Sequence, residues 1–70
     1  MLTFDKLWAT MENRGVSTYT LRENFMIDTR TLRRLKKNMN TETKTIDRLC
    51  EILNCEVSDI VEYKPDNKIE

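Results

Sequence analysis

Residues 17–37, STYTLRENFMIDTRTLRRLKK, hold two residues that each open a helix and leave almost no chain between the two. Ser17 and Asp28 are of the type whose side-chain oxygen accepts the first free N–H groups of a helix. After Ser17, Leu21 and Phe25 stand one turn apart; after Asp28, Leu32 and Leu35 do the same. Val16, just ahead of the first cap, is placed to staple back onto Leu21. The segment FMID interrupts the helical pattern, so the spacing predicts two short helices, the second running through about Lys37.

With roughly three or four residues between them, these helices have the dimension of a helix-turn-helix. The flanking chain completes a helical domain. Phe4, Leu7, Trp8 and Met11 fall at i, i+3, i+4 and i+7, which predicts a first helix over 4–14, with Thr3 as its cap and Gly15 as its stop. The polar stretch NMNTET reads as a connection, and Ile46, Leu49, Cys50 and Leu53 repeat the same stripe for a fourth helix. CEVSDIVEY reads as a short fifth helix with Val57, Ile60 and Val61 turned inward. KPDNKIE, opened by the only proline, reads as a charged tail. The expectation is an all-α, compact five-helix domain over residues 1–63 and a tail over 64–70, with no β alternation.

Seventy residues make one small domain, whose core supplies on the order of 3–5 kcal/mol. A chain that is 39% hydrophobic with a single glycine and a single proline favours compact helix over disorder. No apolar run approaches the roughly 18 residues of a membrane span, and MLTFDKLWAT does not have the pattern of a secretory leader; the expected location is the cytoplasm. There is no histidine, no glycine-rich phosphate loop and no paired-carboxylate arrangement, so an enzyme is not expected. Asp47 and Glu51 are four apart, with Arg48 between them, which is ordinary surface patterning. Cys50 and Cys55 are the only cysteines. They fall short of the four ligands of a structural zinc site and read as small buried thiols. No metal or cofactor is expected.

Charge is distributed unevenly although its sum is zero. Residues 28–40 carry +4 and residues 51–70 carry −4, while the rest balance. On a helix starting at Asp28, Leu32 and Leu35 point at the core, and the opposite side carries Arg30, Arg33, Arg34 and Lys37, with Thr29 and Lys36 on its flank. The face lacks the i, i+4 carboxylates that usually lace a solvated helix. An α-helix fits the DNA major groove, where arginine can bond bidentately to guanine and cations further along reach phosphates. The helix starts near Ser17–Thr18 and Thr41–Lys44 offer N–H groups and hydroxyls to backbone phosphates.

The stretch VSTYTLRENFMIDTRTLRRLKKN resembles the Cro/repressor-type (XRE-like) helix-turn-helix family, five-helix, lambda-repressor-like domains that bind operator DNA, commonly as dimers. The similarity spans about residues 4–63, with Leu21, Ile27, Leu32 and Leu35 matching the family's hydrophobic skeleton and TIDRLCEILNCEVSDIVEY resembling its closing helices. The resemblance implies DNA contacts from Thr18, Thr29, Arg30 and Arg34, with Arg33 and Lys37 flanking them and Ser17 meeting a phosphate. Lys44 is expected to hold a phosphate as well. Two positions depart from the pattern: Arg22 stands where a small alanine is usual, and Met26 stands where glycine is usual. At Met26 either the turn is wound differently or the chain tolerates a left-handed residue, at a cost of roughly 1 kcal/mol. The implied function is that of a small transcriptional regulator on double-stranded DNA, acting as a homodimer on a palindrome. Two alternatives stay open at this level: a protein-interaction module of the same fold, and an antitoxin-like domain that binds both DNA and a protein partner.

Overall fold

Four α-helices wrap the core in a computed structural model that describes residues 1–65. They are α1 (Asp5–Arg14), α2 (Thr18–Phe25), α3 (Thr29–Lys36) and α4 (Thr43–Leu53). One turn of 3-10 helix, Val57–Asp59, follows. Strands β1 (Leu2–Thr3) and β2 (Glu62–Tyr63) close the two ends of the domain, pairing antiparallel with Leu2 opposite Tyr63 and Thr3 opposite Glu62.

Local chemistry accounts for the helix boundaries. Ser17 Oγ accepts from the Thr20 N–H at 3.1 Å, and Asp28 Oδ1 accepts from the Thr31 N–H at 2.9 Å, so both expected caps are made. Three helices end at a residue in the left-handed conformation that glycine and asparagine adopt at least cost. Gly15 (φ 70°) follows α1 and Asn54 (φ 51°) follows α4, while Met26 (φ 60°) follows α2. Asn38 (φ 56°) does the same just beyond α3. At three of these ends the following N–H reaches back across the last turn: Val16 to the Met11 carbonyl, Met39 to Arg34 and Cys55 to Cys50, at 2.9, 2.9 and 3.1 Å. The turn after α2 is therefore wound left-handed through a methionine, with the Met26 and Ile27 N–H groups both donating to the Leu21 carbonyl.

Every helix contributes to one core: Phe4, Leu7 and Met11 from the first helix and its entry, Leu21 and Ile27 around α2, Leu32 and Leu35 from α3, Leu49 and Leu53 from α4, and Ile60. All four expected skeleton residues, Leu21, Ile27, Leu32 and Leu35, are buried. Trp8, Val16 and Phe25 pack at its margin, half-buried. Side chains tie distant segments together. The Phe4 N–H donates to Asn38 Oδ1 at 2.7 Å, the Thr10 hydroxyl to the Asp59 carbonyl at 2.8 Å, and Arg14 to the Asn54 carbonyl at 3.2 Å. The Arg48 guanidinium donates to the Phe25 carbonyl and so pins the end of α2 to α4.

The C-terminal third differs from expectation. In place of a fifth α-helix there is a single 3-10 turn, framed by reciprocal hydrogen bonds between Glu56 and Asp59. Ile60 and Val61 are buried and half-buried, but Val57 is exposed. The β-branched Val57, Ile60 and Val61 lose side-chain freedom in a helix, and the pairing with β1 draws residues 62–63 into an extended conformation that a longer helix would forbid. The same pairing moves Thr3 from its expected capping role into β1. It is buried there, its hydroxyl has no hydrogen-bond partner among the described residues, and α1 starts after Phe4 without a side-chain cap. Of the expected tail, Lys64 is held to the N-terminal strand, its N–H donating to the Met1 carbonyl at 2.9 Å and its Nζ meeting Asp5 at 3.2 Å. Residues 66–70 of that tail lie outside the described residues.

Candidate nucleic-acid interface

Helix α3 stands as a ridge with a cleft on either side. Leu32 and Leu35 anchor its inner face in the core, which leaves Thr29, Arg30, Arg33, Lys36 and Lys37 exposed and Arg34 half-buried. Asp28, fully exposed at the start, has its carboxyl held below the usual range. The Thr31 hydroxyl is the main cause, the Thr31 N–H comes next, and Arg30 adds a smaller attraction. A charged cap is therefore kept in place at neutral pH, where it also favours the positive end of the helix dipole.

The cleft toward α2 is lined by Thr18 and Arg22 on one side and Thr29, Leu32, Arg33 and Lys36 on the other, with a volume of about 210 Å³. On the opposite flank a larger cleft of about 460 Å³ is lined by Arg30, Thr31 and Arg34 together with Asn40, Thr41, Glu42 and Thr45. The expected site residues thus fall into two groups. Thr18, Thr29 and Arg33 line the α2–α3 cleft, while Arg30 and Arg34 line the cleft shared with Asn40, Thr41 and Glu42. Ser17 lies at the exposed start of α2, its hydroxyl engaged by the Thr20 N–H and 3.1 Å from the Thr20 hydroxyl. With the Thr20 N–H taken by that cap, the Thr18 and Tyr19 N–H groups at the start of α2 have no partner within the helix.

Lys37 ends α3 and is exposed. Lys44 is the outlier among the expected residues. It projects from the first turn of α4, 3.9 Å from Glu42, with both side chains largely in water, a contact of little energetic weight. It also lines a third cleft, beside the α2–α3 turn, in the company of Asp28, Asp47 and Glu51. The structure does not bring Lys44 into either α3 cleft.

Arg22, which departs from the family pattern, lies on the α2 side of the first cleft. The signal was available: Arg22 follows Thr18 by four residues and so shares its helix face. Its guanidinium lies 5.9 Å from the centre of the Tyr19 ring, and Lys36 Nζ lies at the same distance from the Trp8 ring. Among the described residues the ion pairs are Lys44–Glu42 and Lys64–Asp5; Arg22 and the cations of α3 make none.

The remaining chemistry-bearing residues are placed in packing. Cys50 and Cys55 are free, half-buried rather than fully buried, and packed against the core. Burial first, then Cys50 and Asp59, pushes the Cys55 thiol up, which disfavours the reactive thiolate. No described helix is long and apolar enough to cross a membrane.

A family model for the Cro/C1-type HTH DNA-binding domain matches residues 6–66 of the chain. Among solved structures, the crystal structure of the transcriptional regulator VanUg is similar to this one. Its TM-score is 0.82 and its identity 32%, over 93% of this chain and 87% of that one. Comparison with the curated proteins gives no match.

Proposed function

Because the chain belongs to the Cro/C1-type helix-turn-helix DNA-binding domains, we propose that it regulates transcription by binding duplex operator DNA, as a repressor-like protein, with α3 in the major groove. The observation that carries this reading is the α3 ridge itself. Its cations have no ion-pair partner among the described residues, and its tip exposes Thr29 and Arg30, where a groove-bound helix reaches base edges.

Arg30 and Arg34, one turn apart, are suited to bidentate bonds with guanine O6 and N7. Arg33 and Lys37 flank them. Ser17 and Thr18 present the start of α2 to one phosphate strand, and Lys44 approaches the other from the start of α4. Arg34 is half-buried and lines the cleft, which limits its freedom and favours a defined contact. One module reads one half-site, so two copies on a palindrome about 34–36 Å apart from centre to centre are the natural assembly.

Fluorescence anisotropy against a randomised duplex pool at two salt concentrations tests this, comparing wild type with Arg30→Ala/Arg34→Ala after circular dichroism shows both folded. The expected result is wild-type binding that weakens steeply with salt, because each neutralised phosphate contributes a slope of roughly 0.9 in log K against log salt. The double variant should lose both affinity and sequence preference. Absence of wild-type binding at low salt would overturn the proposal and favour a protein-docking role for the cationic face.

A further inference from the structure

Arg22, Arg33 and Lys36 line the cleft between α2 and α3 with the hydroxyl-bearing Thr18 and Thr29, and no carboxylate lines it. Three like charges around one small crevice repel each other. None of them has an ion-pair partner among the described residues. Leu32, buried, forms part of the lining, and an apolar wall strengthens whatever electrostatic interaction is made against it.

The donors also define the ligand. Arginine and lysine heads only donate hydrogen bonds, and the two hydroxyls can donate as well. Guanine O6 and N7 are also acceptors, but a base edge is neutral, whereas a phosphate presents acceptors alone and carries the negative charge that three clustered cations favour. We infer that the α2–α3 crevice is a seat for one phosphate of the DNA backbone, gripped by Arg22 across from Arg33, with Thr18 and Thr29 completing the donor set. This deepens the DNA-binding reading and rests on it. Arg22 becomes a positioning residue: it fixes where α3 lies along the groove and reads no base itself.

Two features prepare Arg22 for this part. Its guanidinium lies over the Tyr19 ring, and a stacked guanidinium keeps its N–H edge free for an oxyanion. The side chain is exposed and makes no hydrogen bond or ion pair within the described residues, so its removal should leave the fold intact. Lys36, drawn over Trp8, stands at the rim and adds charge to the crevice.

The test compares wild type, Arg22→Ala, Arg22→Lys and Arg30→Ala on duplexes selected by the wild type, over about 50 to 200 mM salt, with thermal melts as the folding control. Arg22→Ala should weaken binding nearly uniformly across sequences and reduce the salt slope by about 1. Over that salt range the wild type then loses about fourfold more affinity than the variant. Arg22→Lys should keep the slope, and Arg30→Ala should instead change sequence preference.

Wild-type binding with an Arg22→Ala variant of equal affinity and slope would overturn the inference while leaving the DNA-binding reading intact. A change in sequence preference on Arg22→Ala would replace the phosphate seat by a base contact. If inorganic phosphate alone shifts the Thr18 and Thr29 amide resonances while Arg22→Ala leaves DNA affinity untouched, the crevice is a free-anion site and the DNA assignment falls. A wild type that binds no duplex overturns both readings.

Discussion

Met26 offers a measurement of one backbone conformation in isolation. It holds φ 60°, ψ 30° at the end of α2, and its side chain is 77% exposed. A residue with a Cβ in this region meets the following carbonyl oxygen, at a cost of about 1–2 kcal/mol. Glycine avoids that contact but brings a more flexible unfolded chain, worth about 0.4–1 kcal/mol in the other direction. The balance favours glycine by about 1 kcal/mol. Met26→Ala and Met26→Gly both remove the side chain's remaining contacts, so their difference reports the backbone alone. Gly15 supplies the reciprocal case: it holds φ 70°, and an added Cβ would meet nothing within 4 Å. Gly15→Ala should therefore cost about the same 1 kcal/mol, with no added clash against the rest of the domain. For a domain of this size 1 kcal/mol moves the melting midpoint by about 4–8 °C. Thermal melts followed by circular dichroism should place Met26→Gly that far above Met26→Ala, and Gly15→Ala that far below wild type. Equal midpoints for the two Met26 variants would refute the reasoning, since the left-handed turn would then carry no cost that glycine relieves.

Two further expectations follow from the core and the α3 cap. Leu35 is completely buried, and Leu35→Ala should cost about 2–5 kcal/mol, comparable to the roughly 3–5 kcal/mol such a core supplies. Chemical denaturation should then find the variant largely unfolded at 25 °C, and a melt close to wild type would show that the core closes around the gap. Asp28 is held below the usual carboxyl range by Thr31, so its contribution to stability is present above its unfolded value and is lost as pH falls through its lower folded value. Asp28→Asn keeps an acceptor for the Thr31 N–H but cannot titrate, so the acid limb of its stability curve should be flatter than that of wild type. Matching acid limbs would show that the cap's charge has no part in it.

Much of the architecture of α2 and α3 was legible along the chain because its causes are local. A capping side chain reaches an N–H three residues on, and an apolar stripe repeats within one or two turns. Ser17 and Asp28 accordingly cap the helices expected of them, and Leu32 and Leu35 turn inward so that Arg30, Arg33 and Lys37 face out. The alternative left open at Met26, a different winding or a tolerated left-handed residue, is decided in favour of the second. Asn38 and Asn54 show the same conformation in residues that adopt it more cheaply.

What local rules could not supply depends on segments that meet only in the folded domain. Two-residue strands have no period to detect; β1 and β2 exist because residues 2–3 and 62–63 lie side by side, and their pairing cuts the fifth helix to one turn and takes Thr3 from its cap. Arg22 and Arg33 line one cleft because α2 and α3 lie beside it, and Lys44 shares a cleft with Asp28, Asp47, Arg48 and Glu51 because α4 passes the α2–α3 turn. Sequence by itself determined the helices of the helix-turn-helix and the charge of the outer face, since those interactions close within a few residues. Tertiary structure alone decided which cations share a cleft, because the distance between residues on different helices is set by how the whole core packs.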